Sequence, residues 1–244
     1  LGCYGHPVCE TPAIDRIARE GMRFEQAFSN CPLCIPARNC FFTGQYPSRH
    51  RFLFNATPDD VTEAQAPSYQ FGHVLRQAGY GQIINVGKHH TTLATELSGF
   101  TEHTVVKDGL GATPARPPEG LDPEAHELVT SPGQAPNVIL AGRYPTAGEE
   151  TEAYRTAQHA IDRLDGLARE DEPWVMRVSM GPPHTPVLPP EPYASMYREA
   201  MRDWEPVAGE FAQRTDLLRR WHEARGWDQL SLEQLQWIRA AYLG

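Results

Sequence analysis

Two apolar runs, each ending on a polar cluster, constrain the fold of this chain more than any other feature. Gln82 to Val86 carries Ile83, Ile84 and Val86 and exits into Gly87-Lys88-His89-His90. Trp174 to Met180 is mostly apolar and exits into Gly181-Pro182-Pro183-His184-Thr185-Pro186. Both have strand length, and each follows a stretch of helical periodicity. Ahead of the first, Ser68 to Ala78 sets Phe71, Val74, Leu75 and Ala78 on one face, with Gly79 at its end. Ahead of the second, Glu149 to Arg169 turns Ala153, Ala157, Ala160, Ile161 and Leu164 inward. This alternation predicts a layered α/β sheet with helices on both faces. Parallel strands bring their carboxyl ends to one edge, where such folds place ligands. Lys88, His90 and His184 would then meet there. A single Lys-His pair is most often a solvated turn, and a lone histidine says little. The repetition gives the pattern its weight.

Helix N-termini point to the same edge, and one of them carries a cysteine. Cys34-Ile35-Pro36-Ala37-Arg38, with Thr43-Gly44 beyond, reads as a cysteine at the start of a short helix. Pro36 suits a first turn, where its missing N–H costs nothing, and Gly44 suits the far end. Unpaired amides at that start, with Arg38 one turn in, make an anion site and favour a thiolate. The common alternative is a buried, inert cysteine on a core helix.

Elsewhere the punctuation is regular. Thr11-Pro12 before Ile14, Ile17 and Ala18 predicts an N-capped helix ended by Gly21. Met22 to Phe28 alternates enough for a short strand. Thr101 to Arg143 is rich in proline and glycine, a long surface excursion in which His103 and His126 read as surface residues. A proline-rich turn through Pro192 leads to Tyr193–Tyr197. Helices follow around Glu210 to Arg225 and Leu232 to Tyr242, the second opened by a capping box of Ser231 and Gln234.

The length of 244 residues accommodates one large α/β domain or two small ones. A net charge of -9 and a pI near 5.6 argue against a nucleic-acid or anionic-membrane partner. Any anion must be captured by a local basic cluster. No apolar run reaches the length of a membrane span. Five cysteines, an odd count, do not read as a disulfide framework and lean toward a reducing compartment such as the cytoplasm. Cys31 and Cys34 form a C-x-x-C, yet Cys3, Cys9 and Cys40 supply no second zinc pair at knuckle spacing. The chain opens on Leu1 without a signal-peptide pattern, so its start reads as truncated and silent on targeting.

Together these pieces resemble the formylglycine-dependent sulfatase family of the alkaline-phosphatase-like superfamily. Cys34-x-Pro36-x-Arg38 followed by Thr43-Gly44 is similar to the family's C-x-P-x-R…T-G signature, with Ala37 where serine is common. Leu1 to Gly5 and Thr11 to Asp15 resemble the segment that precedes the nucleophile. Gly87-Lys88-His89-His90 resembles its G-K-x-H motif, with His89 where tryptophan or methionine is frequent. Pro183-His184-Thr185-Pro186 resembles its P-H-x-P motif. The likeness runs from Leu1 to about Tyr197, with 101–146 as a variable excursion, and Ala240-Ala241-Tyr242 resembles a helix preceding the second metal segment.

The resemblance implies a single catalytic domain over 1–244, incomplete at both ends, that hydrolyses sulfate esters of small molecules or carbohydrates. It implies a formylglycine made from Cys34 by a formylglycine-generating enzyme, and a divalent cation, calcium. Of that metal's ligands only position 34 lies in this sequence, so the resemblance implies no turnover by these 244 residues alone. One hydroxyl of the aldehyde hydrate would attack sulfur, and the other would expel sulfate. Arg38 would steady the hydrate, Lys88 would hold a sulfate oxygen and His90 would act as base. His184 would bind sulfate or protonate the leaving oxygen. Three alternatives stand beside this: a phosphonate monoester or phosphodiester hydrolase of the same superfamily, a non-catalytic anion-binding relative, and a zinc or redox protein built on Cys31 and Cys34.

Overall fold

The computed structural model describes residues 1–55, 70–91, 98–106, 121–133, 138–210 and 213–244. Its elements run α1 Pro12–Glu20, α2 Cys34–Thr43, α3 Pro47–His50, α4 Phe71–Gln77, β1 Gln82–Gly87, β2 Glu102–Thr104, β3 Val129–Thr130, β4 Ile139–Ala141, α5 Glu152–Leu167, β5 Trp174–Ser179, α6 Tyr193–Met196, α7 Asp216–Ala224 and α8 Leu232–Leu243. Two compact units share them. One comprises Phe24–Lys107 and Glu152–Gly181, the other Leu1–Arg23, Asp108–Thr151 and Pro182–Gly244.

In the first unit β1 is the centre of a parallel three-stranded sheet, ordered β2-β1-β5. Gln82 pairs with Trp174 and Gly87 with Ser179, while Ile84 pairs with Glu102 and Val86 with Thr104. Side chains alternate across a strand, so the sheet has two distinct faces. On one, Ile84 and Val86 pack with Ala160 and Leu167 of α5 and with Met176. On the other, the cross-strand neighbours Asn85, Arg177 and His103 share a row, and the Arg177 guanidinium lies 5.1 Å from the ring centre of Phe42 on α2. Helices cover both faces, as the alternation predicts. Ile83, Ile84 and Val86 are fully buried, and each contributes about 2 kcal/mol of transfer free energy.

The structure corrects three expectations. Met22 to Phe28, which crosses the boundary between the units, is not a strand: the side chains of Met22, Phe24 and Phe28 are exposed, and no described strand pairs with it. The inward stripe of α5 is Thr156, Ala160 and Leu167, while Ile161 and Leu164 face outward. Small Ala160 lets the helix approach Ile84 and Val86, and that contact fixes the rotation. The excursion read as irregular holds the short strands β2, β3 and β4, with 107–120 and 134–137 outside the described residues. Of the helix read from Ser68, positions 68 and 69 also lie outside them.

The second unit is built on α8. Tyr197, Met201 and Ala240 form its core with Val8, Trp204, Trp237 and Leu243 around them. β3 and β4 pair antiparallel, and Val187 bridges Ala141. The capping box forms as predicted: Gln234 N donates to Ser231 Oγ at 3.2 Å, and Ser231 N donates to Gln234 Oε1 at 2.9 Å. Thr11, expected to cap α1, does not. Its hydroxyl donates to Asp15 Oδ1 and accepts from Gly2 N, tying the amino-terminal turn to the helix instead.

Candidate active site

α2 begins at Cys34, directly after an extended Leu33. Pro36 occupies the first turn, and Gly44, at φ 65°, ends the helix in the left-handed region with its N–H on the Cys40 carbonyl. Asn55, twenty-one residues beyond Cys34, accepts a 3.0 Å bond from Ile35 N. With that amide taken and Pro36 having none, the helix start offers fewer amides to an anion than the sequence implied. The positive charge comes from side chains.

Arg38 lies one turn beyond Cys34 on the same helix. Its Nη1 donates to the Lys88 carbonyl at 3.1 Å, the His89 carbonyl at 3.4 Å and Ser179 Oγ at 3.2 Å. Among the described residues its Nε and Nη2 have no hydrogen-bond partner. Burial lowers the Arg38 pKa, and the nearby Cys34 sulfur counteracts this.

The turn that Arg38 grips is the exit of β1. Gly87 has φ 86°, and a Cβ there would collide with the Ser179 carbonyl oxygen, so glycine is required twice over. Lys88 N continues the ladder to Ser179 O at 2.7 Å. The Lys88 side chain is half-buried, and among the described residues its ammonium has no hydrogen-bond or ion-pair partner. His90 is exposed and held at φ 47°, in the left-handed region.

His89 is buried among the rings of Phe42, Phe100 and His103. Its Nε2 lies 3.0 Å from Ser98 Oγ and its Nδ1 3.3 Å from Thr91 Oγ1. Burial, reinforced by His103, Arg177 and Arg38, pushes its pKa down to about 4. It is a neutral structural ring behind the site.

Arg177 was legible only as a charged residue within an apolar strand. Its Nη1 donates to Asn85 Oδ1 at 2.5 Å and to the Lys88 carbonyl at 3.1 Å, and its Nη2 donates to Ser179 Oγ at 3.1 Å. Burial and the adjacent Arg38 lower its pKa to about 10. No carboxylate pairs with either guanidinium among the described residues. His103, read as a surface residue, instead lies 2.8 Å from Asn85 Nδ2 through its Nδ1.

The structure thus brings together the Cys34 helix start, Arg38 and the Lys88–His90 turn in one unit. His184 belongs to the other unit. It is exposed, its Nδ1 donating to the Thr185 carbonyl at 2.6 Å, in a turn and bends rather than the extended loop expected. Cys40 pairs with His50 Nε2 at 3.3 Å, burial raises its pKa, and all five cysteines are free thiols. Among the described residues no three His, Cys, Asp or Glu side chains gather as a metal site.

The Sulfatase family model matches residues 1–231. The chain belongs to the sulfatase family. This sulfatase chain is 30% identical over 198 residues to choline-sulfatase of Rhizobium meliloti (strain 1021), covering 77% of its own length and 36% of that protein. It is 28% identical over 232 residues to human N-acetylgalactosamine-6-sulfatase, covering 87% of itself and 43% of the relative. It spans less than half the length of these curated relatives. Its fold is similar to the phosphonate monoester hydrolase of Agrobacterium radiobacter, with a TM-score of 0.61 at 21% identity, covering 100% of this chain and 53% of that one. The α/β fold expected from the resemblance is upheld. No helix among the described residues is long and apolar enough to cross a membrane.

Proposed function

We propose that this sulfatase chain contributes the nucleophile half of a site that hydrolyses sulfate esters of small molecules or carbohydrates, and that both units belong to one catalytic domain. The observation that carries the reading is Arg38. It stands one turn from Cys34 and is pinned through a single nitrogen to the Lys88 turn. Half-buried cations with no carboxylate partner among the described residues favour an anion.

Cys34 is the residue to be converted to formylglycine by a formylglycine-generating enzyme, and its half-exposed place at the helix start suits that role. The hydrated aldehyde supplies a hydroxyl nucleophile for sulfur and a second hydroxyl for sulfate release. Arg38 presents Nε and Nη2 to the negative oxygen at position 34. Lys88 holds a non-bridging sulfate oxygen as a point charge. His90, at the exposed end of the turn, takes up the proton of the second hydroxyl. His184 binds sulfate or protonates the leaving oxygen. The divalent cation implied by the family, which we propose is calcium, would be held in part by the modified position 34 and would activate the nucleophile there; no group of three His, Cys, Asp or Glu side chains gathers among the described residues.

The test is to co-express a polypeptide carrying this sequence with a formylglycine-generating enzyme and to weigh the peptide containing Cys34. The expected product is the aldehyde, with turnover of aryl sulfate abolished in Cys34→Ala. An unmodified thiol would favour a non-catalytic anion-binding protein. Strong preference for an aryl phosphonate ester would replace the sulfatase reading with the phosphonate hydrolase one.

A further inference from the structure

We propose, resting on the sulfatase reading, that Arg177 is a positioning residue that orients Arg38 by filling the acceptors the two guanidinium groups share. The Lys88 carbonyl oxygen has two lone pairs, one for Arg38 Nη1 and one for Arg177 Nη1, both at 3.1 Å. Ser179 Oγ likewise accepts from Arg38 Nη1 at 3.2 Å and Arg177 Nη2 at 3.1 Å. With both acceptors full, the hydroxyl cannot rotate away and the Lys88 peptide cannot tilt without breaking a bond to a cation.

Arg177 is itself rigid. Its guanidinium stacks near the Phe42 and Phe41 rings, at 5.1 and 5.9 Å from their centres. Asn85, fully buried, fixes its other side and is held in turn by the Gly87 carbonyl and His103. Rigidity therefore passes from the sheet through Arg177 to the Lys88 carbonyl and Ser179, and from them to Arg38. The consequence is a fixed direction for the Nε–Nη2 edge. A lysine at 177 would keep the charge but could not span three acceptors on three residues.

The test uses an isotopically labelled polypeptide carrying this sequence and the side-chain N–H resonances of Arg38 in NMR. Rotation of the Arg38 guanidinium should be hindered in the wild type and released in Arg177→Met and in Arg177→Lys. Ser179→Ala, which leaves both charges in place, should release it as well. Free rotation in the wild type, unchanged hindrance in the variants, or rescue by lysine would overturn the proposal. Titration with inorganic sulfate adds a second readout. Arg177→Met should weaken binding about tenfold in the wild type and not at all in an Arg38→Met background. Additive losses would mean that Arg177 acts on the anion independently, and would also overturn it. If the wild type binds no sulfate yet Arg38 is released in the variants, the anion-binding role proposed for Arg38 fails and the positioning role stands.

Discussion

Arg38 and Arg177 donate to the same two acceptors, the Lys88 carbonyl and the Ser179 hydroxyl, at 3.1–3.2 Å. Two half-buried cations so close together repel, and no described carboxylate offsets them. Carbonyl oxygens, a hydroxyl and the Phe42 ring supply partial compensation, and an anion supplies the rest. Inorganic sulfate should therefore raise the melting temperature beyond what sodium chloride does at equal ionic strength. Arg38→Ala should lose most of that sulfate-specific increment. It should also cost about 1–3 kcal/mol at neutral pH, because three acceptors lose a charged donor. Thermal melts in the two salts decide the matter: an undiminished sulfate increment in the variant would remove Arg38 from the anion site.

His89 makes the fold acid-sensitive. Its imidazole is neutral in the fold down to about pH 4, whereas in the unfolded chain it protonates near 6.5. Between these values the unfolded state binds the extra proton. The stabilisation is complete above 6.5 and is lost as pH falls toward 4. Its size is on the order of 2 kcal/mol after screening. His103, Arg177 and Arg38 are the charged neighbours that disfavour His89⁺ beyond burial alone. Urea unfolding across that window should show a flatter pH dependence in His89→Gln than in the wild type. Parallel profiles would assign the acid sensitivity elsewhere.

Much of this site was legible because its signals are local. Pro36 in a first turn and Gly44 past a last one define α2 without reference to anything distant. The apolar runs of β1 and β5 announced themselves as strands, and their register then aligned Gly87 with Ser179. Arg177 was not legible as a site residue. A charge in the middle of an apolar strand acquires meaning only from the residues opposite it, here Asn85 and the Phe42 ring. Asn55 was missed for the same reason, since no periodicity links it to Ile35. The α5 stripe was misplaced because Ile161 and Leu164 look more apolar than Thr156, yet Ala160 sets the contact with β1. Met22 to Phe28 alternates like a strand but has no described partner, and alternation alone makes no ladder.

Gly87 and Gly79 separate two effects of adding a methyl group. Both have left-handed backbones, at φ 86° and 89°. At Gly79 no described atom lies within 4 Å of a new Cβ, so Gly79→Ala should cost only the conformational penalty, about 1 kcal/mol. At Gly87 the Cβ meets the Ser179 carbonyl, which cannot move without disturbing the β1–β5 ladder, and the buried Thr156 methyl of α5. Gly87→Ala should cost about 3 kcal/mol or more and displace the Lys88 turn. Denaturant unfolding of the two variants checks the difference. Equal losses would mean that the close packing of β1 on Ser179 is not as described.

Asn55 closes the helix start from outside the helix. Its Oδ1 satisfies the Ile35 amide at 3.0 Å, doing for α2 what Leu33, an apolar N-cap, cannot. Asn55→Ala should destabilise the chain by about 1 kcal/mol, the usual loss for a removed cap. The freed amide would also join the backbone around Cys34 and increase fraying of the turn that carries it. Asn55→Asp should retain the bond and, by placing a negative charge at a helix N-terminus, match or exceed wild-type stability. The same charge, beside the helix start proposed to receive sulfate, should weaken sulfate binding. Hydrogen exchange at Ile35 and Ala37, compared with sulfate titration of the two variants, measures both effects. Faster exchange in Asn55→Ala with sulfate affinity lost only in Asn55→Asp is the expected pattern. Unaltered exchange in Asn55→Ala would show that the helix start is held by other contacts.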